Sequence, residues 1–176
     1  MSSGGGFCGN AGFPTDQAAV LNAVVERIQG SIASLADDVA CFVSLVPDPD
    51  LEERQPIYCT VCPMPGEFDQ QIYDGAGIQG VVEMTGVLVT VFSNLGLDRP
   101  DEHTALLLDP SRGLITLKQQ LLKTMLANPM LQDANGNNIL IEPMLPQQSS
   151  STGRNSSREM GRFSLRFSTS FRWNLQ

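Results

Sequence analysis

The cysteines are the side chains of this sequence whose spacing comes nearest to a chemical motif, because Cys59 and Cys62 form a C-x-x-C pair. That spacing suits a zinc clip or a redox disulfide. The other candidate ligands, Cys8, Cys41 and His103, supply neither a second C-x-x-C nor a paired-histidine motif. A redox C-x-x-C would open a helix, whereas prolines follow this one. We therefore expect reduced cysteines and no metal, with a small zinc- or ligand-binding protein organised by Cys59 and Cys62 as the alternative function.

Two further segments match parts of ligand-binding motifs. Residues 75–80 read G-A-G-I-Q-G, which fits the G-x-G-x-x-G pattern of dinucleotide-binding proteins. That fingerprint needs a strand before it and a helix after it, whereas a Gln/Asp-rich loop precedes these glycines and β-forming residues follow, so a flexible turn is expected. Residues 133–138 alternate Asp and Asn like a calcium loop, but Met144 stands where a bidentate Glu is required. A hairpin turn is predicted there instead.

General acid–base chemistry has one natural candidate, because His103 is the sole histidine of the sequence. A single histidine excludes mechanisms that need two imidazoles. His103 lies beside Asp101 and Glu102 with no nucleophile motif near it, so it is expected on the surface. We therefore predict no catalytic residue and no cofactor, and we expect that the protein is not an enzyme.

Charge divides the chain into an acidic body and a basic C-terminal region. The formal net charge is −8. Residues 1–146 contain six basic and 18 acidic side chains, whereas residues 147–176 contain one acidic side chain and five arginines, Arg154, Arg158, Arg162, Arg166 and Arg172. Such asymmetry favours self-association or a charged partner. The acidic body should repel DNA, since sequence-independent DNA affinity comes from neutralising phosphates.

The elements that must position these residues fit one folded domain. Apolar residues make up 41% of the sequence, which is enough to bury a core. A flexible Gly-rich arm is predicted over residues 1–14 and a single domain over residues 15–176. The longest apolar runs, 39–46 and 87–92, are shorter than the roughly 20 residues that span a bilayer, so no membrane contact is expected.

Two amphipathic helices are predicted from the spacing of apolar residues. Residues 16–35 and residues 111–128 both place apolar side chains at steps of three and four, the period of an α-helix with one buried face. Asp109 or Ser111 is the candidate N-cap of the second helix.

Strands are predicted between and after these helices. Residues 39–46 read as a buried strand and residues 81–97 as a central one. Residues 163–175 alternate apolar odd positions with polar even positions, which is the clearest strand pattern in the sequence. Long loops are predicted at 47–80 and 146–161, with residues 57–61 as a candidate short strand inside the first. The result is an α/β or α+β domain in which two helices pack on a mixed or antiparallel sheet.

The order of these elements resembles the tail terminator proteins of long-tailed bacteriophages, also called tail completion or minor tail proteins of the head–tail junction. The resemblance is carried by the helix at 16–35, by V-L-V-T-V-F-S at 87–93, by G-L-I-T-L-K-Q-Q-L-L-K at 113–123 and by R-F-S-L-R-F-S-T-S-F-R-W at 162–173. It covers residues 15–176 and concerns pattern and order. The Gly-rich arm and the first long loop exceed what such a fold requires, so another neck, head-closure or tail-tube protein is left open.

The resemblance implies a ring, usually a hexamer, that caps the tail tube, ends its polymerisation and joins it to the head connector. DNA would pass through the central channel without sequence-specific binding, and the protein would lie in the virion neck after assembly in the host cytoplasm. As contacts between copies we predict the arginines Arg154, Arg158, Arg162, Arg166 and Arg172 against the acids Asp48, Asp50, Glu52 and Glu53. The alternative is scattered surface charge, which contributes little singly.

Overall fold

Helices and strands alternate irregularly along the chain. The structure is a computed structural model that describes residues 17–49, 56–74, 77–93, 100–132, 136, 138–140, 142–150, 153–154 and 161–174. The helices are α1 (Gln17–Ser31), α2 (Pro100–Leu108) and α3 (Leu114–Ala127), with a 3₁₀ turn at Ala33–Leu35. The strands are β1 (Cys41–Val43), β2 (Ile57–Asp74), β3 (Gly77–Ser93), β4 (Leu145–Ser149), β5 (Gly153–Arg154) and β6 (Gly161–Asn174). This is the α+β class predicted from the sequence.

One mixed sheet contains all the described strands, in the order β1-β2-β3-β6-β4, with β5 also beside β6. Only β1 and β2 run parallel; the other pairs are antiparallel. The ladder between β3 and β6 runs without a register shift from Gly80↔Asn174 to Ser93↔Gly161. The predictions of a central strand and of a long period-two strand near the C-terminus are therefore confirmed.

The core lies between one face of the sheet and the helices α1 and α3. Period-two side chains of β2, β3 and β6 meet the apolar stripes of the two helices there. The buried sheet residues are Cys59, Val61, Val87, Val89, Val91, Phe163, Leu165 and Phe167, and the helix residues include Val20, Val24, Ile28, Leu117, Leu121 and Met125. Full burial of each large apolar side chain contributes about 1.5–3 kcal/mol, so this layer stabilises the domain.

The prediction of a long loop over residues 47–80 is wrong from residue 57 onward, apart from the candidate short strand at 57–61, which is the start of β2. β2 and β3 form one long hairpin, whose last described pair is Asp74↔Gly77. Pro63, Pro65 and Gly66 are strand breakers that favour a loop, but they lie at or beside a register shift between Met64 and Glu67. β-bulges tolerate both proline and glycine, which explains why the segment remains a strand.

The apolar run at 39–46 is also mostly not a buried strand. Only Cys41–Val43 pair with β2, at the edge of the sheet. Leu45 is 93% exposed and Val46 is half exposed. Three residues at an edge bury one face only, so the continuous apolar run does not mark a central strand here.

The second predicted loop, at 146–161, contains β4 and β5 within its described residues. A further helix, α2, was not indicated by the sequence pattern. The predicted Gly-rich arm over residues 1–14 lies outside the described residues. No described helix combines the length and apolar character needed to cross a membrane.

The turn before α3 is built around Asp109. Its Oδ1 accepts hydrogen bonds from the Ser111 backbone N–H at 2.8 Å, the Ser111 hydroxyl at 2.7 Å and the Arg112 N–H at 2.7 Å. The hydrogen bond from the Ser111 hydroxyl, followed by the backbone bonds, lowers the pKa of the Asp109 carboxyl. The N-cap position itself is Gly113, without a side-chain cap, so the prediction of Asp109 or Ser111 as the cap is wrong. Asp109 instead shapes the turn that leads into the helix.

Candidate subunit interface

The C-x-x-C motif does not bring its two thiols together. Cys59 and Cys62 lie three residues apart on β2, and an odd separation along a strand places side chains on opposite faces. Cys59 belongs to the helix-facing core, whereas Cys62 does not. The neighbour of Cys59 is Cys41, its Cα partner on β1. Because they face opposite sides of the sheet, Cys59 and Cys62 cannot close a clip on one ion; among the described residues no group of three or more His, Cys, Asp or Glu could hold a metal ion.

The environment of these thiols favours packing over reactivity. Cys41, Cys59 and Cys62 are buried and free of disulfides. A hydrogen bond with Cys41, then burial, raises the pKa of the Cys59 thiol well above its ordinary value, and burial raises the pKa of Cys62. The thiolate is the nucleophile and the metal ligand. A thiol that stays protonated at neutral pH is therefore a small apolar side chain.

The other sequence motifs map to turns and helix ends. Gln132 and Asn138 form an isolated β-bridge, and Gly136 has a φ of +82°, both typical of the predicted turn; residues 133–135 and 137 lie outside the described part. His103 belongs to α2 rather than to a loop. The turn predicted from the glycines Gly75–Gly80 is wrong from residue 77 onward, because β3 begins at Gly77; residues 75–76 lie outside the described residues.

The sheet has a second face, opposite the helices, and one corner of it is covered by the chain itself. Tyr58 and Phe92 are cross-strand partners whose rings stack with centroids 4.5 Å apart and planes 13° apart, and Phe42 packs against them. The Thr60 hydroxyl donates a 2.8 Å hydrogen bond to the Pro47 carbonyl. The segment after β1 therefore lies across this face.

That segment brings together two of the residues predicted to act between subunits. The Arg162 Nη1 and the Asp48 Oδ2 are 3.8 Å apart, with the side chains 45% and 23% exposed. The ion pair lies within one chain, whereas the sequence placed such pairs between neighbouring copies. Asp50, Glu52, Glu53 and Arg158 lie outside the described residues. Their part in an interface stays a prediction.

Beyond that corner the second face is open, polar and cationic. Arg166 is exposed there and, with Met84, Gln147, Gln148 and Ser168, lines a shallow groove of about 480 Å³. The Gln147 Nε2 donates to the Ser168 hydroxyl at 2.8 Å. Arg172 follows further along β6, at the register position opposite Val82. Arg154 lies on β5, which pairs with β6. Four of the five predicted arginines thus lie on two paired strands.

Three strands continue well past the part of the sheet that the helices cover. We call this extension the arm, as distinct from the Gly-rich segment predicted over residues 1–14. It comprises residues 64–74 of β2, 77–86 of β3 and 168–174 of β6. The helix-facing core of these strands ends at Val61, Val87 and Phe167. In the arm, Phe68 is 69% exposed and Met84 is 41% exposed. Phe68 pairs with Glu83, the strand neighbour of Met84, so these two exposed side chains lie on opposite faces of the arm.

The two edges of the arm differ in how they are protected. On β2, the bonds Cys59 N–H to Ala40 C=O and Ser44 N–H to Val61 C=O show that odd residues face outward. Pro63 is the next odd residue and has no N–H to leave unpaired. Three register shifts follow, at 64–67, 68–70 and 72–73, and such irregularities disrupt further pairing. The β2 edge is therefore irregular as far as residue 73.

The β6 edge of the arm is paired by described strands only in part. The Ser150 N–H donates to the Ser164 carbonyl at 2.9 Å, and the Ser164 N–H donates to the Ser150 hydroxyl at 2.8 Å. Even-numbered residues of β6 therefore direct their backbone groups away from β3. β4 pairs with β6 only as far as Ser168. Beyond it no described strand pairs with this edge, but Ser170 is 1% exposed, so the edge is not open to solvent at that residue.

The sequence reading missed the β2 strand of the arm and with it Phe68. A signal was present, because D-G-A-G at residues 74–77 is a turn sequence flanked by Ile-Tyr and Ile-Gln. Two β-forming segments around a glycine turn indicate a hairpin. The weight given to Pro63 and Pro65 obscured that indication.

The comparisons with known proteins assign neither a family nor a function to this chain. No protein-family model and no curated protein sequence matches this chain. Among solved structures, the chain is similar to one in a structure described as "Virion of native gene transfer agent (GTA) particle". The identity is 16% and the TM-score 0.46, over 87% of this chain and 94% of that one. A likeness of this degree carries no functional argument.

Proposed function

We propose that the protein is a structural protein of a long-tailed bacteriophage virion and that it works as a ring of identical copies. In this proposal it is the tail terminator, which caps the tail tube, ends its polymerisation and joins it to the head connector. The observation that carries the proposal is the arm, in which β2, β3 and β6 remain paired beyond the last helix-facing core residue.

The physical reason lies in what the arm buries. Antiparallel strands need a packed face to be stable in water, and isolated ribbons are marginal. Phe68 and Met84 are exposed on opposite faces of the arm, since Phe68 pairs with Glu83, so the single chain covers neither face completely. A neighbouring copy that packs against the arm would bury these side chains and supply strand partners.

Charge supports passage of DNA through the ring without binding. Residues 1–146 contain three times as many acidic as basic side chains. Like charge keeps phosphates away from such a surface. The role requires no catalysis, and the buried thiols with raised pKa values are suited to packing.

The test of ring formation is direct. Purified protein is measured by light scattering and imaged by negative-stain electron microscopy, and we expect closed rings with a central hole. A monomer at every accessible concentration would overturn the proposal. Elemental analysis of the same sample addresses the alternative class: stoichiometric zinc that is lost in Cys59→Ser would favour a metal-binding protein.

The terminator role needs a separate assay. The tail tube protein from the same phage is polymerised with and without this protein. We expect one ring at one tube end and shorter tubes as the ring concentration rises. Rings that ignore the tube but bind the head connector would assign the protein to head closure instead.

A further inference from the structure

We propose that neighbouring copies in the ring meet head to tail through two exposed apolar patches at opposite ends of the sheet. The β1 patch comprises Val39, Val43 and Leu45, and the α3 patch comprises Ile115, Leu122 and Leu126. The β1 patch of one copy packs on the α3 patch of the next, and the ring requires this contact. The proposal rests on the proposed ring and adds a second contact to the arm.

The β1 patch lies at one end of the sheet, on its edge strand. Val39, Val43 and Leu45 are each at least 41% exposed. Val43 is the Cα partner of Val61, a residue of the helix-facing core, so the Val43 side chain lies on the helix-facing side of the sheet. These side chains leave apolar surface in water that a partner can cover.

Helix α3 lies along the other end of the sheet, beside β4. The Lys118 Nζ donates to the Ser149 hydroxyl of β4 at 2.6 Å. The Met144 N–H, just before β4, donates to the Pro129 carbonyl, just after α3, at 2.7 Å. Two connections at different points of the helix therefore hold α3 alongside this edge strand.

The α3 patch occupies the flank of the helix that faces β4. Lys118 marks this flank, and the patch residues follow it at i−3, i+4 and i+8, which places them on the same side of the helix. Ile115 and Leu126 are 41% and 45% exposed, and Leu122 is half-buried. The opposite flank faces α1, where Gln120 and Thr124 line a groove with Arg27.

The two patches of one molecule cannot cover each other. The strand order is β1-β2-β3-β6-β4, and neighbouring strands are about 4.8 Å apart, so β1 and β4 are separated by roughly 19 Å. Any cover for these patches therefore comes from another molecule.

Both edge strands resist the addition of a further strand, so the contact is made by side chains. The Cys41 N–H donates to the Asp37 carbonyl at 3.0 Å and the Cys41 carbonyl accepts from the Gln29 Nε2 at 3.0 Å, which leaves only Val43 of β1 to pair outward. β4 has five residues, contains Pro146 and has a register shift beside it. Short edge strands, proline and bulges prevent edge pairing.

Charge complementarity identifies the occupant of each patch as the other patch of a second copy. Residues 32–46 contain two aspartates, the exposed Asp37 and Asp38, and no basic side chain. Helix α3 contains Lys118 and Lys123 and no acidic side chain. Two β1 patches would bring acids together and two α3 patches would bring lysines together, whereas unlike patches place opposite charges around an apolar centre.

Symmetry agrees with this choice of partner. A contact between two different patches is heterologous, so each added copy again leaves one β1 patch and one α3 patch free. Such contacts close into a ring when the rotation between copies divides a full turn. A contact between like patches would stop at a dimer.

The experiment uses two full-length variants, each of which places lysines in one patch. Val39→Lys with Leu45→Lys changes the β1 patch, and Ile115→Lys with Leu126→Lys changes the α3 patch. Every contact in the ring needs both patches, so we expect each variant alone to be monomeric in light scattering at ten times the concentration at which the wild type forms rings. An equimolar mixture retains one intact contact per pair, so we expect a one-to-one dimer and no ring.

A matched control adds the same charge elsewhere. Asn22→Lys with Gln120→Lys places two lysines at exposed helix positions outside both patches, and we expect it to form wild-type rings. Loss of the ring in this control would overturn the assignment to the patches. Urea unfolding establishes that all three variants fold.

The outcomes separate this contact from the ring itself. A ring or dimer formed by either patch variant alone, or a mixture that stays monomeric, would overturn the head-to-tail contact, while wild-type rings would still support the proposed function. A wild type that stays monomeric at every accessible concentration would overturn the proposed function.

A second measurement needs no disruptive substitution and keeps the test decisive if a variant does not fold. A benzophenone-bearing amino acid replaces Leu45, which is almost fully exposed, and isotope-labelled and unlabelled copies are mixed before irradiation. Mass spectrometry should find cross-links from position 45 of one copy to residues 115–126 of another. Rings that give no such cross-link between copies would overturn the contact.

Discussion

The two halves of β2, β3 and β6 differ in what holds their side chains. In the covered half, residues such as Val89 and Phe163 are buried under the helices, and Tyr58 and Phe92 stack on the opposite face. In the arm, Phe68 and other apolar side chains face solvent. The same strands therefore differ along their length: one half is stabilised by the chain's own helices, and the other half leaves large apolar side chains exposed.

The largest expected effect comes from removing one aromatic side chain in each half and comparing the loss of stability. Phe167→Ala removes a fully buried ring from the covered half and should lower the free energy of unfolding by about 3–5 kcal/mol. Phe68→Ala removes an exposed aromatic side chain and should change the free energy of unfolding by less than about 0.5 kcal/mol. The mass of the oligomeric ring should nevertheless decrease. Urea unfolding and light scattering measure the two quantities. Equal losses of stability would show that the arm is part of the monomer's core.

A glycine at the boundary gives the next largest effect. A Cβ on Gly86 would lie 2.5 Å from the carbonyl oxygen of Phe167 on the neighbouring strand, so Gly86→Ala must displace backbone. We expect a loss of about 1–3 kcal/mol. Gly30→Ala in α1 is the control, because nothing lies within 4 Å of the added carbon, and it should stabilise by about 0.4–1 kcal/mol. A neutral Gly86→Ala would mean that the two strands can separate at the base of the arm.

Periodicity predicted the covered half and the β6 strand of the arm, whereas it missed the β2 strand of the arm. The helix stripes and the first part of the β6 alternation arise from burial against the chain's own core, and burial is what hydrophobic periodicity records. The arm has no such cover, and Pro63 and Gly66 lie at bulges that local rules read as a loop. The sequence likewise predicted a loop at the charged start of α2, because this helix has only nine residues and is too short to show a clear helical periodicity.

The charged residues were foreseen in kind but not in their pairing. The basic run of β6 and the acids after β1 are plain in the sequence, whereas the Arg162–Asp48 contact depends on a segment crossing the sheet. The position of that segment across the sheet depends on tertiary packing, which local sequence patterns do not record. Position along the sequence cannot distinguish an ion pair within a chain from one between chains.

A smaller effect compares hydroxyl groups in the two halves. The Thr90 and Ser164 hydroxyls are 2.9 Å apart in the covered half, so Thr90→Val leaves a polar group unpaired and should cost about 1 kcal/mol. The buried Thr169 hydroxyl at the base of the arm has no hydrogen-bond partner in the described structure. Thr169→Val should therefore be neutral or stabilise by up to about 1 kcal/mol. A loss at Thr169 as large as at Thr90, measured by urea unfolding, would mean that Thr169 does have a partner in solution.

The smallest effect on stability compares two arginines of β6. Arg162 is already paired with Asp48, and an exposed ion pair contributes about 0.2–1 kcal/mol. Arg162→Gln should therefore reduce the free energy of unfolding by no more than that and leave the oligomeric ring intact. Arg166→Gln should leave the free energy of unfolding unchanged and weaken the oligomeric ring, because the exposed Arg166 lines the shallow groove that includes Met84.

Salt sharpens this last comparison, because the Debye length shrinks from about 10 Å at 0.1 M to about 3 Å at 1 M ionic strength. Light scattering of the wild type should then show weaker rings at high salt, and Arg166→Gln should show a smaller salt dependence than Arg162→Gln. If Arg162→Gln dissociates the ring while its unfolding is unchanged, Arg162 acts between copies as the sequence alone suggested, and its pairing with Asp48 within the chain is secondary.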